Sequence, residues 1–118
     1  MYNIDKYKCD VNCGMLIMDR SKCIEILKAL SDDTRLEIFE ILQNEKLCAC
    51  KILERLNITQ PTLSHHMKIL CECEIVIAEK NWRWNYYSIN CKTLNELIKY
   101  LSNTICFKQG ESNYGLYA

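Results

Sequence analysis

Residues 57–70, NITQPTLSHHMKIL, decide the fold of this chain. Apolar side chains recur here at spacings of four and three, which places on one helix face Leu63, Met67 and Leu70. Thr59 precedes this pattern as a helix N-cap, and Pro61 follows in the first turn, where its missing N–H removes no hydrogen bond. The stretch therefore predicts a helix that begins after a tight turn and buries one face.

A shorter apolar pattern just upstream predicts a helix over about residues 48–56, with an inner face of Ile52, Leu53 and Leu56. Two helices joined by three residues form a helix-turn-helix. The second helix of such a motif reads the major groove of DNA with polar side chains from its N-terminal half. The DNA-binding candidates on this helix are Thr59, Gln60, Thr62, Ser64, His65 and Lys68. His66 lies nearer the packed face and is a weaker candidate than His65.

Three further helices are predicted from apolar stripes and capping signals. The first starts near Ser21 and carries Ile24, Leu27 and Leu30. The second starts with a capping box at Thr34 and Glu37, and carries Leu36, Phe39 and Leu42. The last starts with a capping box at Thr93 and Glu96, and carries Leu94, Leu97, Ile98, Leu101 and Ile105.

Two β-rich segments, 75–78 and 86–89, flank a polar connection and predict a hairpin. Lys80 and Arg83 at its tip are candidates for neutralising DNA phosphates. The aromatic side chains of this segment are interpreted as hairpin packing rather than as base-stacking groups. They are Trp82, Trp84, Tyr86 and Tyr87.

The composition limits the classes of function. The 118 residues suit a single domain, and fifteen basic against fifteen acidic residues give zero net charge, so DNA binding has to rest on local arrangement. The glycines stand at Gly14, Gly110 and Gly115, which permits no GxGxxG or Walker phosphate loop. No signal peptide or membrane span is evident, and the nine cysteines are an odd number. We therefore expect a cytoplasmic protein with reduced thiols that is not an enzyme.

The order of these segments, together with the amino-acid sequence of several of them, resembles that of the ArsR/SmtB family of metal-sensing repressors. The matching stretches are residues 30–36 (LSDDTRL), 47–50 (LCAC), 57–70 and 82–87 (WRWNYY). The resemblance implies a mainly α, dimeric winged helix-turn-helix with the order helix-helix-helix-helix-strand-strand-helix. It also implies a homodimer, paired through its first and last helices, that binds palindromic operator DNA, involves no membrane, and leaves the operator when an inducing ion binds. Outside this resemblance, residues 1–19 are polar and without a clear period, so we expect a cysteine-containing arm there, the DNA-binding and dimerisation domain over 20–108, and a frayed tail over 109–118.

Cys48 and Cys50 are the principal candidates for metal ligands, because soft thiolates select thiophilic ions. Residues i and i+2 do not share a helix face, so we expect the start of the third helix to be distorted if both hold one ion. The arm offers Cys9 and Cys13 as further ligands, and the resemblance to the cadmium- and lead-sensing branch implies such a use.

The identity of the inducing ion stays open. Trivalent arsenic or antimony, As(III) or Sb(III), is favoured because the helix-turn-helix and residues 69–73 resemble the arsenic-responsive branch more closely. That branch often has a third cysteine where this chain has Leu53, and the arm resembles the cadmium branch, so Cd(II), Pb(II) or Zn(II) is the alternative. A second alternative is a redox sensor, in which a helix-three cysteine and Cys106 form a regulatory disulfide. The remaining thiols are interpreted as small residues in or near the core, or as non-ligands: Cys23, Cys71, Cys73 and Cys91.

Overall fold

The computed structural model describes residues 18–105, which form five helices and three strands. In chain order these are α1 (Arg20–Leu30), α2 (Asp33–Ile41), β1 (Leu47–Cys48), α3 (Ala49–Arg55), α4 (Gln60–Glu72), β2 (Val76–Asn81), β3 (Trp84–Ile89) and α5 (Cys91–Ile105). The predicted winged helix-turn-helix is confirmed. The order differs from the prediction in one element, since β1 precedes α3. Most of the predicted arm and the whole predicted tail lie outside the described residues.

The three strands form one antiparallel sheet in the order β1-β3-β2. Strands β2 and β3 form the wing, whose base pairs Val76 with Ile89 and whose tip pairs Asn81 with Trp84. Strand β1 adds to the other edge of β3, with Cys48 opposite Tyr86. The predicted third helix included Cys48, because a two-residue strand has no periodicity and only its pairing with the distant β3 defines it.

The core lies around α4, which contributes the three apolar side chains that its spacing predicts. Leu63, Met67 and Leu70 are all almost fully buried. Helices α1, α2 and α3 and the connection before β2 each add an isoleucine of negligible exposure, namely Ile26, Ile38, Ile52 and Ile75. This packing fixes the orientation of α4, so the opposite, polar face of the helix is presented to solvent.

The helix starts are set by side-chain caps, and only one of three predicted caps is correct. Thr59 caps α4 as predicted, by accepting a hydrogen bond from the Thr62 backbone N–H at 3.4 Å. Helix α2 is capped by Asp32 rather than Thr34, with its carboxylate 3.1 Å from the Arg35 backbone nitrogen. At α5, Asn90 rather than Thr93 accepts the capping bond. In both wrong cases an earlier cap-forming residue starts the helix.

The predicted apolar stripe of α1 mostly faces away from the core, whereas that of α2 is buried apart from its first residue. In α1 the buried residues are Cys23, Ile26 and Ala29, whereas Ile24 and Leu27 are 44% and 43% exposed. At α2, Phe39 and Leu42 of the predicted stripe are buried together with Ile38, and Leu36 is 44% exposed.

Helix α5 is buried through Leu97, while Ile98 and Leu101 of its predicted stripe stay exposed. The single chain therefore leaves apolar side chains on the surface of both α1 and α5. No helix within residues 18–105 has the length and apolar character needed to span a bilayer.

Candidate functional site

The polar face of α4 presents every DNA-binding candidate on this helix to solvent. Thr59, Gln60, Thr62, Ser64, His65 and Lys68 are all exposed. The hydroxyls of Thr59 and Thr62 also bond to each other at 2.9 Å, so they are tied to the N-cap. A contiguous set of hydrogen-bonding groups thus starts at the N-terminus of α4, where a reading helix contacts base edges. Their contact with DNA stays a prediction.

His66 belongs to the packed side of α4, which confirms its separation from His65. Its Nδ1 lies 3.2 Å from a terminal guanidinium nitrogen of Arg35 on α2 and 4.0 Å from a carboxylate oxygen of Asp32. Arg35 also donates from Nε to the Ala29 backbone carbonyl at 2.6 Å. The guanidinium therefore ties the last turn of α1 to α4.

The pKa of His66 is lowered from its ordinary 6.5, first by burial, although the Asp32 carboxylate opposes this shift and Arg35 adds to it. The neutral ring, with Nδ1 as the acceptor for Arg35, is the favoured form. Sequence reasoning missed this connection, because the Arg35–His66 pairing spans thirty-one positions.

The wing tip carries the two predicted phosphate-contacting residues, Lys80 and Arg83, and both are exposed. Tyr87 packs partly against the core, as expected of a hairpin aromatic. Trp82 does not, since it is 83% exposed, and Trp84 is also an exposed side chain. Within residues 18–105, the packing interpretation is therefore wrong for Trp82, at the end of the ribbon, while the Trp84 side chain is about half covered.

The two sulfur candidates, Cys48 and Cys50, lie side by side with their Sγ atoms 2.7 Å apart. Cys48 ends β1 in an extended conformation (φ −79°, ψ 161°) and stands at the N-cap position of α3. Cys50 lies in the first turn of α3 and is exposed, while Cys48 is 9% exposed. Bringing the two sulfurs together distorts no turn of α3, because Cys48 precedes the helix and has an extended backbone; whether α3 distorts when an ion binds stays a prediction.

The pair shares its protons unequally. The hydrogen bond with Cys50 lowers the pKa of Cys48; burial opposes this shift, and backbone N–H groups at the start of α3 add to it. The same bond raises the pKa of Cys50. Cys48 is therefore the sulfur that deprotonates first, with the Cys50 thiol donating to it. The thiolate is the form of cysteine that binds metal ions. Here the exposed Cys50 thiol lies beside it.

Two sulfurs supply part of a coordination shell. Thiolates at about 2.3 Å from a tetrahedral ion lie about 3.8 Å from each other, so the exposed Cys50 side chain has to shift outwards for both to bind it. Within residues 18–105, no cluster of three or more histidine, cysteine or acidic side chains is placed to hold a metal. The predicted further ligands, Cys9 and Cys13, lie outside the described residues.

The remaining described thiols are poor ligand candidates. Cys23 is a core residue, as predicted. Cys73 is buried and its thiol donates to the Leu70 carbonyl at 3.3 Å. Burial raises the pKa of both Cys71 and Cys73, which disfavours their thiolates. Cys106 lies outside the described residues, so the disulfide alternative stays a prediction.

Sequence comparisons point to one group of proteins. Residues 32–78 match the family model for "Bacterial regulatory protein, arsR family". An arsenical resistance operon repressor of Staphylococcus aureus is 46% identical over 77 residues, which cover 65% of this chain and 74% of that protein. A homologue of the cadmium resistance transcriptional regulatory protein CadC, also from Staphylococcus aureus, is 33% identical over 76 residues, covering 64% of this chain and 63% of that protein.

Solved structures agree with these matches. An ArsR-like transcriptional regulator from Rhodococcus sp. RHA1 is similar with a TM-score of 0.66 and 26% identity, over 71% of this chain and 79% of that one.

Proposed function

Because the chain belongs to the arsR family of bacterial regulatory proteins, which are DNA-binding regulators and not enzymes, we propose that it is a homodimeric repressor released from operator DNA by As(III) or Sb(III). The coarser part, a metal-responsive transcriptional repressor, follows from the family and its arsenical resistance relatives. The finer part concerns the ion, its ligands and the dimer, and rests on the features below.

The observation that carries the proposal is the meeting of Cys48 and Cys50 at the start of α3. Their sulfurs are 2.7 Å apart and one is exposed. Thiolate donors select thiophilic ions over calcium, magnesium or manganese. The pair would hold the inducing ion as two sulfur ligands, and a pyramidal As(III) or Sb(III) would need one more.

The position of Cys48 supports coupling between the ion and DNA. On its C-terminal side, α3 leads through a short turn into α4, which carries the polar residues proposed to contact the base edges of DNA. On its N-terminal side, β1 pairs with β3, and Cys48 lies opposite Tyr86, two residues from the wing tip at Trp84. A shift at Cys48 therefore reaches both elements that face the operator. Allosteric couplings of this kind amount to about 1–3 kcal/mol, or about 5–150-fold in affinity.

The exposed apolar side chains support the homodimer. Ile24 and Leu27 on α1, together with Ile98 and Leu101 on α5, form apolar surface on the two helices that the family resemblance assigns to dimerisation. A second copy of the chain would bury this surface and remove it from water.

The matching relatives favour arsenic as the inducing element, and Cd(II), Pb(II) or Zn(II) is the second candidate. Several matching proteins are arsenical resistance operon repressors, and one is a homologue of a cadmium resistance regulator. Four sulfurs would suit Cd(II), Pb(II) or Zn(II) if Cys9 and Cys13 complete the shell. The third ligand therefore decides between the two classes of ion.

An operator-release assay tests the proposal. A duplex that the wild-type protein selects from a randomised pool is labelled, and its release is titrated with arsenite, antimonite, cadmium, lead and zinc under constant reduction. We expect arsenite or antimonite to release the duplex at the lowest concentration. Replacing Cys48 or Cys50 with serine should leave duplex binding intact and abolish release, whereas Cys91→Ser, a matched control outside the pair, should respond as the wild type does.

The same assay separates the alternatives. Release by cadmium or lead alone, lost in a Cys9→Ser/Cys13→Ser variant, would assign the chain to the cadmium-type sensors. Release only by an oxidant, reversed by a thiol reductant, would identify a redox sensor. Release of both Cys48→Ser and Cys50→Ser by ion at wild-type concentrations would refute the sulfur site.

A further inference from the structure

The Cys48 and Cys50 sulfurs are closer to the distance of a covalent bond than to the distance at which both would hold an ion. Their Sγ atoms are 2.7 Å apart. A disulfide bond is about 2.05 Å long, and two thiolates on one tetrahedral ion lie about 3.8 Å apart. From 2.7 Å, the sulfurs would approach by about 0.7 Å to bond to each other, but separate by about 1.1 Å to hold an ion.

The backbone on both sides of the pair is already held in place. Cys48 has an extended conformation at the N-cap of α3, and it pairs with Tyr86 as the last residue of β1. Cys50 lies in the first turn of α3. Rotation of the two side chains can close the remaining distance, so β1 and α3 can stay as they are when the sulfurs bond.

This pair is also the most accessible thiol group in the part of the chain that the structure describes. Among the six cysteines within residues 18–105, Cys50 alone is exposed. Cys23 is buried in the core, and Cys73 is buried with its thiol on the Leu70 carbonyl. A small oxidant that arrives from solvent therefore meets the pair before these core thiols.

We propose that a hydroperoxide oxidises Cys48 and Cys50 to a disulfide within the chain, and that this bond makes the repressor insensitive to its inducing ion while operator binding is retained. The inference rests on the proposed function, because it adds a modification to the proposed ion site. It differs from the redox-sensor alternative, in which oxidation itself releases the DNA.

The reaction consumes two thiols and one peroxide. One sulfur, as its thiolate, attacks the peroxide O–O bond; it becomes a sulfenic acid, and the hydroxide that leaves combines with the proton that this thiol gave up. The second sulfur then attacks the sulfenic sulfur, the S–S bond forms, and the sulfenic hydroxyl leaves with the second thiol proton as water. The two sulfurs are oxidised by two electrons, and hydrogen peroxide is reduced to two molecules of water.

Ion binding and disulfide formation move the two sulfurs in opposite directions. The thiolate is the form of cysteine that binds metal ions, and a disulfide leaves neither Cys48 nor Cys50 as a thiolate. The bond also keeps the sulfurs together, so the orientation of α4 stays that of the reduced protein. Because the bond would bridge a single residue and one of its sulfurs is exposed, it is of the labile kind that a reductant reopens.

The mass of one peptide tests whether the bond forms. Lys46 and Lys51 flank the pair, so trypsin releases residues 47–51, LCACK, with both sulfurs and no other cysteine. Reduced wild-type protein is treated with a small excess of hydrogen peroxide, alkylated with iodoacetamide and digested. We expect this peptide to carry no alkyl group and to be two hydrogens lighter than its dithiol form. A phosphine added before alkylation should restore two alkyl groups, and Cys91→Ser, a control outside the pair, should give the same masses.

The operator-release assay tests the effect of the bond. Oxidised and reduced wild-type protein are bound to the pool-selected duplex, and both are titrated with arsenite. We expect the two forms to bind the duplex with the same affinity, and release by arsenite to be lost in the oxidised form. Treatment with the phosphine, followed by its removal, should restore release.

Each contrary outcome has a distinct meaning. Two alkyl groups on residues 47–51 after peroxide, or normal arsenite release of protein whose pair is bonded, would overturn the inference and leave the ion site intact. Release of the duplex by peroxide alone would also overturn it, in favour of the redox sensor. Failure of every ion to release the reduced protein would overturn the proposed function, and with it the inference, even if the bond forms.

Discussion

Replacing Arg35 with methionine should destabilise the protein far more than its half-buried position suggests. Its guanidinium donates to the Ala29 carbonyl at 2.6 Å and faces His66 Nδ1 at 3.2 Å. The Ala29 carbonyl is in the last turn of α1, where backbone acceptors have no partner within the helix. Methionine keeps most of the apolar stem but leaves both acceptors without this donor.

The size of the effect follows from the two bonds. A hydrogen bond from a charged donor is worth about 1.5–3 kcal/mol. Because the site is only part-buried, we take the lower value for each, which gives a loss of about 3 kcal/mol. For a domain of this size that corresponds to a fall in melting temperature of roughly 12 °C or more.

The assay is thermal and urea unfolding followed by far-UV circular dichroism. Arg55→Met is the matched control, since Arg55 forms one close ion pair, at 3.0 Å with Glu45, on the surface. Exposed pairs contribute at most about 1 kcal/mol. If Arg35→Met loses no more stability than Arg55→Met, the guanidinium does not connect α1 to α4, and the reasoning is refuted.

Further predictions concern pH and assembly. The folded-state pKa of His66 is below its ordinary 6.5, so the unfolded chain binds more protons between these two values and the free energy of unfolding should fall as pH drops below 6.5. Urea unfolding at several pH values measures this, and the decline should be smaller in His66→Gln, which keeps an acceptor for Arg35 without titrating; an identical decline would assign the effect to other groups. Leu27→Asp or Ile98→Asp should convert the proposed dimer to monomer in sedimentation velocity and weaken operator binding, while Ile77→Asp, another exposed apolar position, should not. Dimers persisting in both variants would place the interface elsewhere.

The sequence was most informative where local chemistry decides the structure. In α4, the spacing of Leu63, Met67 and Leu70 predicted the buried face, and Thr59 predicted the helix start. Capping boxes were less reliable at α2 and α5, because several cap-forming residues stand together there and one that precedes the predicted cap, Asp32 or Asn90, starts the helix.

Other features depend on contacts between residues far apart in the chain, so a short stretch of sequence does not predict them. An apolar stripe of correct period on α1 faces away from the core, because periodicity identifies an apolar face without saying which chain covers it. The two residues of β1 become a strand only through pairing with Tyr86 and Tyr87. For the same reason, the CxC spacing identified Cys48 and Cys50 as a pair, but the prediction of a helical backbone at Cys48 was wrong.

Because the two sulfurs already lie close together, the protein would respond to a lower concentration of ion. A site assembled from separate, mobile segments spends part of its affinity on ordering them, and that share is saved when the donors already stand together. With Cys48 fixed by a strand on one side and a helix on the other, only the one or two further donors would have to be recruited from elsewhere. The pair at Cys48 would then set the affinity of the site for its ion, and the recruited donors would set its selectivity among toxic ions. Either property could therefore change in evolution without altering the other.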